Sequence, residues 1–170
     1  MSKIILASSS IYRQELLKRL PIKFTSTSPN INEGRMIDET FEDQARRLSK
    51  EKAKVIAKKN PSAFVIGSDQ TAEFNNKEVR KPLSIKNAFI QLSELSGQTL
   101  NFYSGVCLKN IQRNISTDAV IKFSVTYKKL SEDQIKNYLK IEDPSQCVGS
   151  IKSEGLGITL LEEIRCNDPT

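Results

Sequence analysis

The chain has 170 residues, of which 38% are hydrophobic and 27% charged, enough apolar side chain for one buried core and too much for wholesale disorder. It contains no histidine and no tryptophan. Ser-His-Asp and Cys-His catalysis, histidine-ligated zinc and imidazole proton transfer are therefore excluded, and proton transfer falls to carboxylates, lysine, tyrosine or a metal-bound water. Lys and Arg outnumber Asp and Glu by 26 to 20, for a net charge of +6, which suits either a polyanionic partner or a lysine-rich solvated surface. The three cysteines, Cys107, Cys147 and Cys166, are far apart and form no CxxC pair, as expected of free thiols in a reducing compartment. Ile4-Ile5-Leu6-Ala7 is too short for the apolar stretch of a signal peptide and no run approaches a membrane span, so a cytoplasmic location is expected.

Residues 3–7 read as a short buried strand. Ser8-Ser9-Ser10 then caps a helix over 11–20, with Leu16, Leu17 and Leu20 on one face. A second strand is expected over 21–25 and a polar loop over 26–39. The longest helical pattern covers 40–59, its stripe formed by Phe41, Ala45, Leu48, Val55 and Ile56. Lys52 falls on that same stripe, which leaves it either snorkelling at the rim or aimed inward. Residues 63–68 form an apolar strand that ends directly on Asp69-Gln70-Thr71, and 74–79 form a hairpin around Asn75-Asn76. Ser84 caps a helix to Leu95 with Ile85, Ala88, Phe89, Leu92 and Leu95 inward and Gly97 past its end. Residues 100–108 and 118–127 are rich in strand formers, and 131–139 opens with the capping-box pair Ser131 and Gln134. Gly149, Gly155 and Gly157 punctuate a loop before a last strand over 157–164. The pattern predicts one α/β domain spanning 1–170.

Four segments offer groups suited to a polyphosphate, its metal or a base. Ser8 to Ser10 with Arg13 stand at a strand-to-helix turn, where unpaired N–H groups and a guanidinium favour phosphate, although serines also cap helices with no ligand at all. Asp69-Gln70 follows a buried strand, the place where functional groups collect in α/β proteins, and an aspartate there can equally be a cap. Lys81-Pro82 has a fixed backbone direction. Lys152-Ser153-Glu154-Gly155-Leu156-Gly157 has glycines that admit close approach of a ligand, or simply make a turn. Spacing alone reaches an α/β protein with groups for phosphate.

The same segments, in order, resemble the Maf family of nucleoside triphosphate pyrophosphatases. The opening is Ala7-Ser8-Ser9-Ser10-Ile11-Tyr12-Arg13-Gln14-Glu15-Leu16-Leu17. The loop pair Asn32-Glu33 and the helix Arg47-Leu48-Ser49-Lys50-Glu51-Lys52-Ala53 follow. Ile66-Gly67-Ser68-Asp69-Gln70, Lys81-Pro82, Leu95-Ser96-Gly97 and Tyr103-Ser104-Gly105-Val106 complete the series. Gln70 and the run Gly149-Ser150-Ile151-Lys152-Ser153-Glu154-Gly155-Leu156-Gly157 are similar to the branch acting on 7-methyl-GTP. The resemblance implies a mixed sheet flanked by helices, like inosine triphosphate pyrophosphatase, with a nucleotide cleft between two lobes.

The resemblance further implies attack of water on the α-phosphorus with release of pyrophosphate. Asp69 would be the base, and Ser8, Arg13, Lys52 and Lys81 would bind substrate. Tyr12, Gln70 and Glu154 would shape the base pocket. An aromatic face suits the cationic 7-methylguanine, and a carboxylate suits its N1–H and amino group. An ordinary Asp, with a pKa of about 3.9, is a feeble base at neutral pH. Either burial raises it or Mg²⁺ or Mn²⁺ acidifies the water, and the metal is the preferred expectation, with Glu33 and Asp69 as ligands. Ile11 and Gln14 replace a proline and an arginine of the family opening, which implies a weaker phosphate grip, and Asn32 replaces an aspartate. The family pattern continues beyond the position of Asn167-Asp168-Pro169-Thr170, so a C-terminal segment is expected to be missing. The expected partner is a small nucleotide, with no nucleic acid and no membrane, and a homodimer is left open. The alternatives are a dTTP or UTP pyrophosphatase and a nucleotide-binding remnant with impaired catalysis.

Overall fold

A computed structural model of the chain describes residues 3–166; the terminal stretch at 167–170 lies outside the described residues. Among the described residues seven strands and four helices follow one another as β1 (Ile4–Ala7), α1 (Ile11–Lys18), β2 (Thr25–Ser26), α2 (Phe41–Lys59), β3 (Phe64–Phe74), β4 (Lys77–Glu78), α3 (Ile85–Leu95), β5 (Thr99–Asn110), β6 (Ile115–Tyr127), α4 (Glu132–Ile141) and β7 (Leu161–Cys166). The strand order is β2-β1-β3-β5-β6-β7, with β4 paired to β3. This is the mixed α/β architecture expected. The chain divides into two compact units, residues 1–70 with 103–121 and residues 71–102 with 122–170. Strands β3, β5 and β6 contribute a part to each.

In the first unit β1 runs parallel to both β2 and β3, with Ile5 opposite Thr25 and Val65. Helix α2 starts at Thr40, whose side chain accepts the Asp43 N–H, and its buried face covers the sheet. Ala53, Ile56 and Ala57 pack with Ile5, Ala7, Ala63, Val65 and Cys107. Nearer its start, Phe41 and Ala45 meet Tyr103. The helix lies close because the strands carry glycines: a Cβ on Gly67 would stand 2.1 Å from the Ser49 carbonyl oxygen, and one on Gly105 2.3 Å from that of Ala45.

The second unit is built on a core of Leu92, Leu95, Leu100, Phe102, Val125, Tyr127, Ile135 and Tyr138. Helix α3 is capped by Ser84, and α4 carries the complete Ser131–Gln134 capping box. Asn75 and Asn76 both adopt positive φ, 50° and 60°, which joins β3 to β4 in the tight antiparallel hairpin expected of an Asn pair.

Several expectations need correction. Helix α1 ends at Lys18, and none of its residues is buried; Leu16 is 61% exposed, because nothing in the described chain covers the leucine face. The strand expected over 21–25 shrinks to Thr25–Ser26. Val55 on α2 and Ile85 on α3 lie outside the buried faces; their neighbours Ala53, Ala57 and Ala88 take the inward positions. Strand β3 does not stop at Ser68. It continues to Phe74, so Asp69 lies inside a strand. The segment expected as a strand from Gly157 is a 3-10 turn over Leu156–Leu160, and β7 begins only at Leu161.

Candidate active site

Asp69 owes its direction to the alternation of β3. Val65, Gly67, Asp69 and Thr71 are buried, while Gln70 between them is exposed. Gly67 faces α2, so Asp69, two residues on, shares that face. Lys52 comes from the buried stripe of α2, one turn beyond Leu48 and Ser49. It is only 5% exposed, and its Nζ stands 2.5 Å from Asp69 Oδ1 and 2.7 Å from Glu33 Oε1. The tie left by the sequence is thus resolved inward. The Arg13 guanidinium lies 4.0 Å from the same Asp69 oxygen.

Glu33 reaches this cluster from the polar loop, and two α2 side chains fix that loop. Gln44 Nε2 donates to the Glu33 carbonyl at 3.3 Å. Arg47 donates to both Glu39 carboxylate oxygens, at 2.6 and 2.9 Å, and to the Gly34 carbonyl at 2.9 Å. Neither was a sequence candidate for the site. The signal for Gln44 was its place on the buried stripe, eight residues before Lys52, where a polar side chain must find a partner. Ser8 is buried at the end of β1, and its Oγ accepts the Ser10 N–H at 3.1 Å. The helix cap proper is Ser10, which accepts the Arg13 N–H.

The electrostatics favour a base. Burial pushes the Asp69 carboxyl above its ordinary value and Glu33 adds to the rise, while the charges of Lys52 and Arg13 pull the other way. The cations Lys52 and Arg13 leave the cluster suited to an anionic ligand. Among the described residues no three of His, Cys, Asp and Glu converge on one point. Glu33 and Asp69 do converge, through their common lysine. Two carboxylates are the complement a magnesium-type ion takes from protein when phosphates and water supply the rest, so this donor set fits such an ion.

The other candidates are placed differently. Tyr12 lies on α1 and is 48% exposed. Gln70 points to the face opposite Asp69, where its Nε2 donates to Ser104 Oγ at 3.0 Å. Lys81 and Glu154 belong to the second unit. Lys81 is exposed beside Pro82, which is buried and whose carbonyl accepts from Asn87 Nδ2 at 2.9 Å. Glu154 is exposed and accepts from Ser153 Oγ at 3.2 Å.

The sequence profile of Maf-like proteins matches residues 3–170. The chain belongs to the Maf family. Among its curated relatives, a protein of Nitrosococcus oceani named 7-methyl-GTP pyrophosphatase is 44% identical over 166 residues, 98% of this chain and 83% of the relative. One of Hydrogenovibrio crunogenus with the same name is 43% identical over 171 residues, 99% of this chain and 84% of the relative. Among solved structures, the Ham1 protein of Staphylococcus aureus is similar with a TM-score of 0.47 and 18% identity, covering 75% of this chain and 71% of that one. In this Maf protein the cluster around Asp69 is assembled from the family segments at 8–17, 47–53 and 66–70, with Glu33 added from the loop.

Proposed function

We propose that this chain is a nucleoside triphosphate pyrophosphatase, a single Maf-like domain that hydrolyses 7-methyl-GTP to the monophosphate and pyrophosphate. The observation that carries the reading is the convergence of a buried carboxylate, Asp69, on Lys52, Glu33 and Arg13. The identical names of relatives at 40% identity and above support the substrate. Water attacks the α-phosphorus, a new P–O bond forms, and the bond to the bridging oxygen of the β-phosphate breaks. The bonding electrons leave on pyrophosphate. Asp69 takes the proton from water, a task its raised pKa suits better than that of an exposed aspartate. Lys52 and Arg13 stabilise the charge that develops on the phosphate oxygens and leaving group. Glu33 and Asp69 are the residues that would hold a magnesium-type ion, which would supply Lewis-acid stabilisation of that charge. Glu154 recognises the base as acceptor for the guanine N1–H and amino group.

The test is pyrophosphate release from 7-methyl-GTP, GTP, dTTP and UTP with Mg²⁺ or Mn²⁺, beside an Asp69→Asn control. Preferential turnover of 7-methyl-GTP that falls by at least about 10²-fold in the control is expected. A folded chain without turnover rejects the reading.

A further inference from the structure

We propose that Glu142, acting with Tyr138, is the positioning residue that sets the loop over 152–157 for recognition of the base; this rests on the role of Glu154 given above. The observations all lie within the second unit. The last turn of α4 supplies Tyr138 and its C-cap is Glu142, whose N–H donates to the Tyr138 carbonyl at 2.9 Å. The Tyr138 hydroxyl accepts the Lys152 N–H at 3.1 Å. The Glu142 carboxylate lies against Gly155 so closely that a Cβ there would stand 2.0 Å from Oε1 and 3.1 Å from Oε2. Gly155 has a negative φ of −119°, so it is space, and not a left-handed turn, that demands glycine. The loop is also drawn tight on itself: the Gly155 N–H donates to the Lys152 carbonyl at 3.1 Å, and a Cβ on Gly157 would meet the Lys152 backbone at 2.6 Å.

Tyr138 therefore holds the loop at residue 152 and Glu142 packs closely against it at residue 155, and Glu154 lies between those points. The cost of this arrangement is visible. Glu142 Oε2 is buried and finds no hydrogen-bond partner among the described residues, so the carboxylate is costly to keep there. Glu142 is half-buried beside Gly155, and Glu154 is exposed. Burial, with the neighbouring Glu142 adding, pushes the Tyr138 phenol up to about 12, so it stays a neutral partner across the working range.

The experiment compares the wild-type chain with Glu142→Ala, Gly155→Ala and the double variant, by amide hydrogen exchange at residues 152 and 155 and by steady-state kinetics on 7-methyl-GTP and GTP. Glu142→Ala is expected to speed exchange at both amides. It should also raise KM for 7-methyl-GTP by about tenfold and erode the preference over GTP, with kcat within about threefold. Gly155→Ala does the same through its clash, and adding Glu142→Ala recovers most of that loss because the clashing oxygen is gone. Unchanged exchange in Glu142→Ala overturns the hold on the loop. Faster exchange with an unchanged substrate ranking overturns the link to base recognition. A wild-type chain that turns over neither nucleotide defeats the proposed function itself and the recognition half of this proposal, and the exchange data then decide the hold on the loop alone.

Discussion

Asp69 meets two opposed demands, since a proton acceptor must be basic and a carboxylate beside Lys52 and Arg13 is made less so. Burial prevails, and the carboxyl is held above its ordinary 3.8. The consequence for stability has a definite sign. A group whose pKa is higher folded than unfolded contributes stability that is complete below the unfolded value and is lost as pH rises through the folded one. Ionised Asp69 is therefore a burden on the fold at pH 7. Asp69→Asn, which keeps an acceptor for Lys52, is expected to melt at the parent's temperature or above it at pH 7. The difference should close as pH falls below about 4. The pH–rate profile of the parent should show an acid limb above 3.8, where Asp69 gives up its proton. A limb at or below that value, or a large fall in melting temperature for Asp69→Asn, contradicts this account.

Among the elements, α2 decides most, because it brings Lys52, Gln44 and Arg47 to their places. Its distance from β3 is set by Gly67, where any Cβ would meet Ser49 O at 2.1 Å and Ala53 N at 2.6 Å, both backbone atoms that cannot step aside alone. Gly67→Ala should therefore push the helix off the strand. It is expected to cost at least about 1–3 kcal/mol of stability, as overpacked cores do, and to lower activity by parting Lys52 from Asp69. Denaturant melts and turnover measure the two effects; an unchanged midpoint would show that the helix is free to shift. The extent of α2 was legible in the sequence because its stripe is a local signal: the pattern over 40–59 is the helix Phe41–Lys59, with Thr40 as its cap. The length of β3 was not, because Gln70, Thr71 and Glu73 break the apolar run while the backbone goes on pairing as far as β4. Leu16 and Leu20 gave α1 a face, but a periodic face does not say what, if anything, will cover it. Asp69 and Lys52 were nameable because strand and helix patterns placed them. Gln44, Arg47 and the hold of Glu142 on Gly155 depend on contacts between distant segments, which no local pattern contains.

For the whole molecule, the net charge of +6 is not shared. The first unit carries fifteen Lys and Arg against nine Asp and Glu, and the second eleven against eleven. Part of that excess is already committed. Arg46 and Lys50 both bind Asp118, and Arg47 binds Glu39 and Glu51. The pairing lowers the carboxyls of Asp118 and Glu39 and leaves no open stripe of free arginines along that side of α2. The remaining excess, in the unit that holds Asp69, suits a small, highly charged anion drawn in at long range and gripped at one point. If so, added salt should weaken capture without touching chemistry. Between 50 and 300 mM KCl, KM for the triphosphate should rise on the order of several-fold while kcat stays nearly constant. Neutralising Lys54, which lies on the same unit outside the Asp69 cluster, should reduce the slope of that dependence and leave kcat alone. A kcat that falls with KM unchanged would place the salt effect on the reacting groups, and the charge excess would then serve the fold's solubility alone.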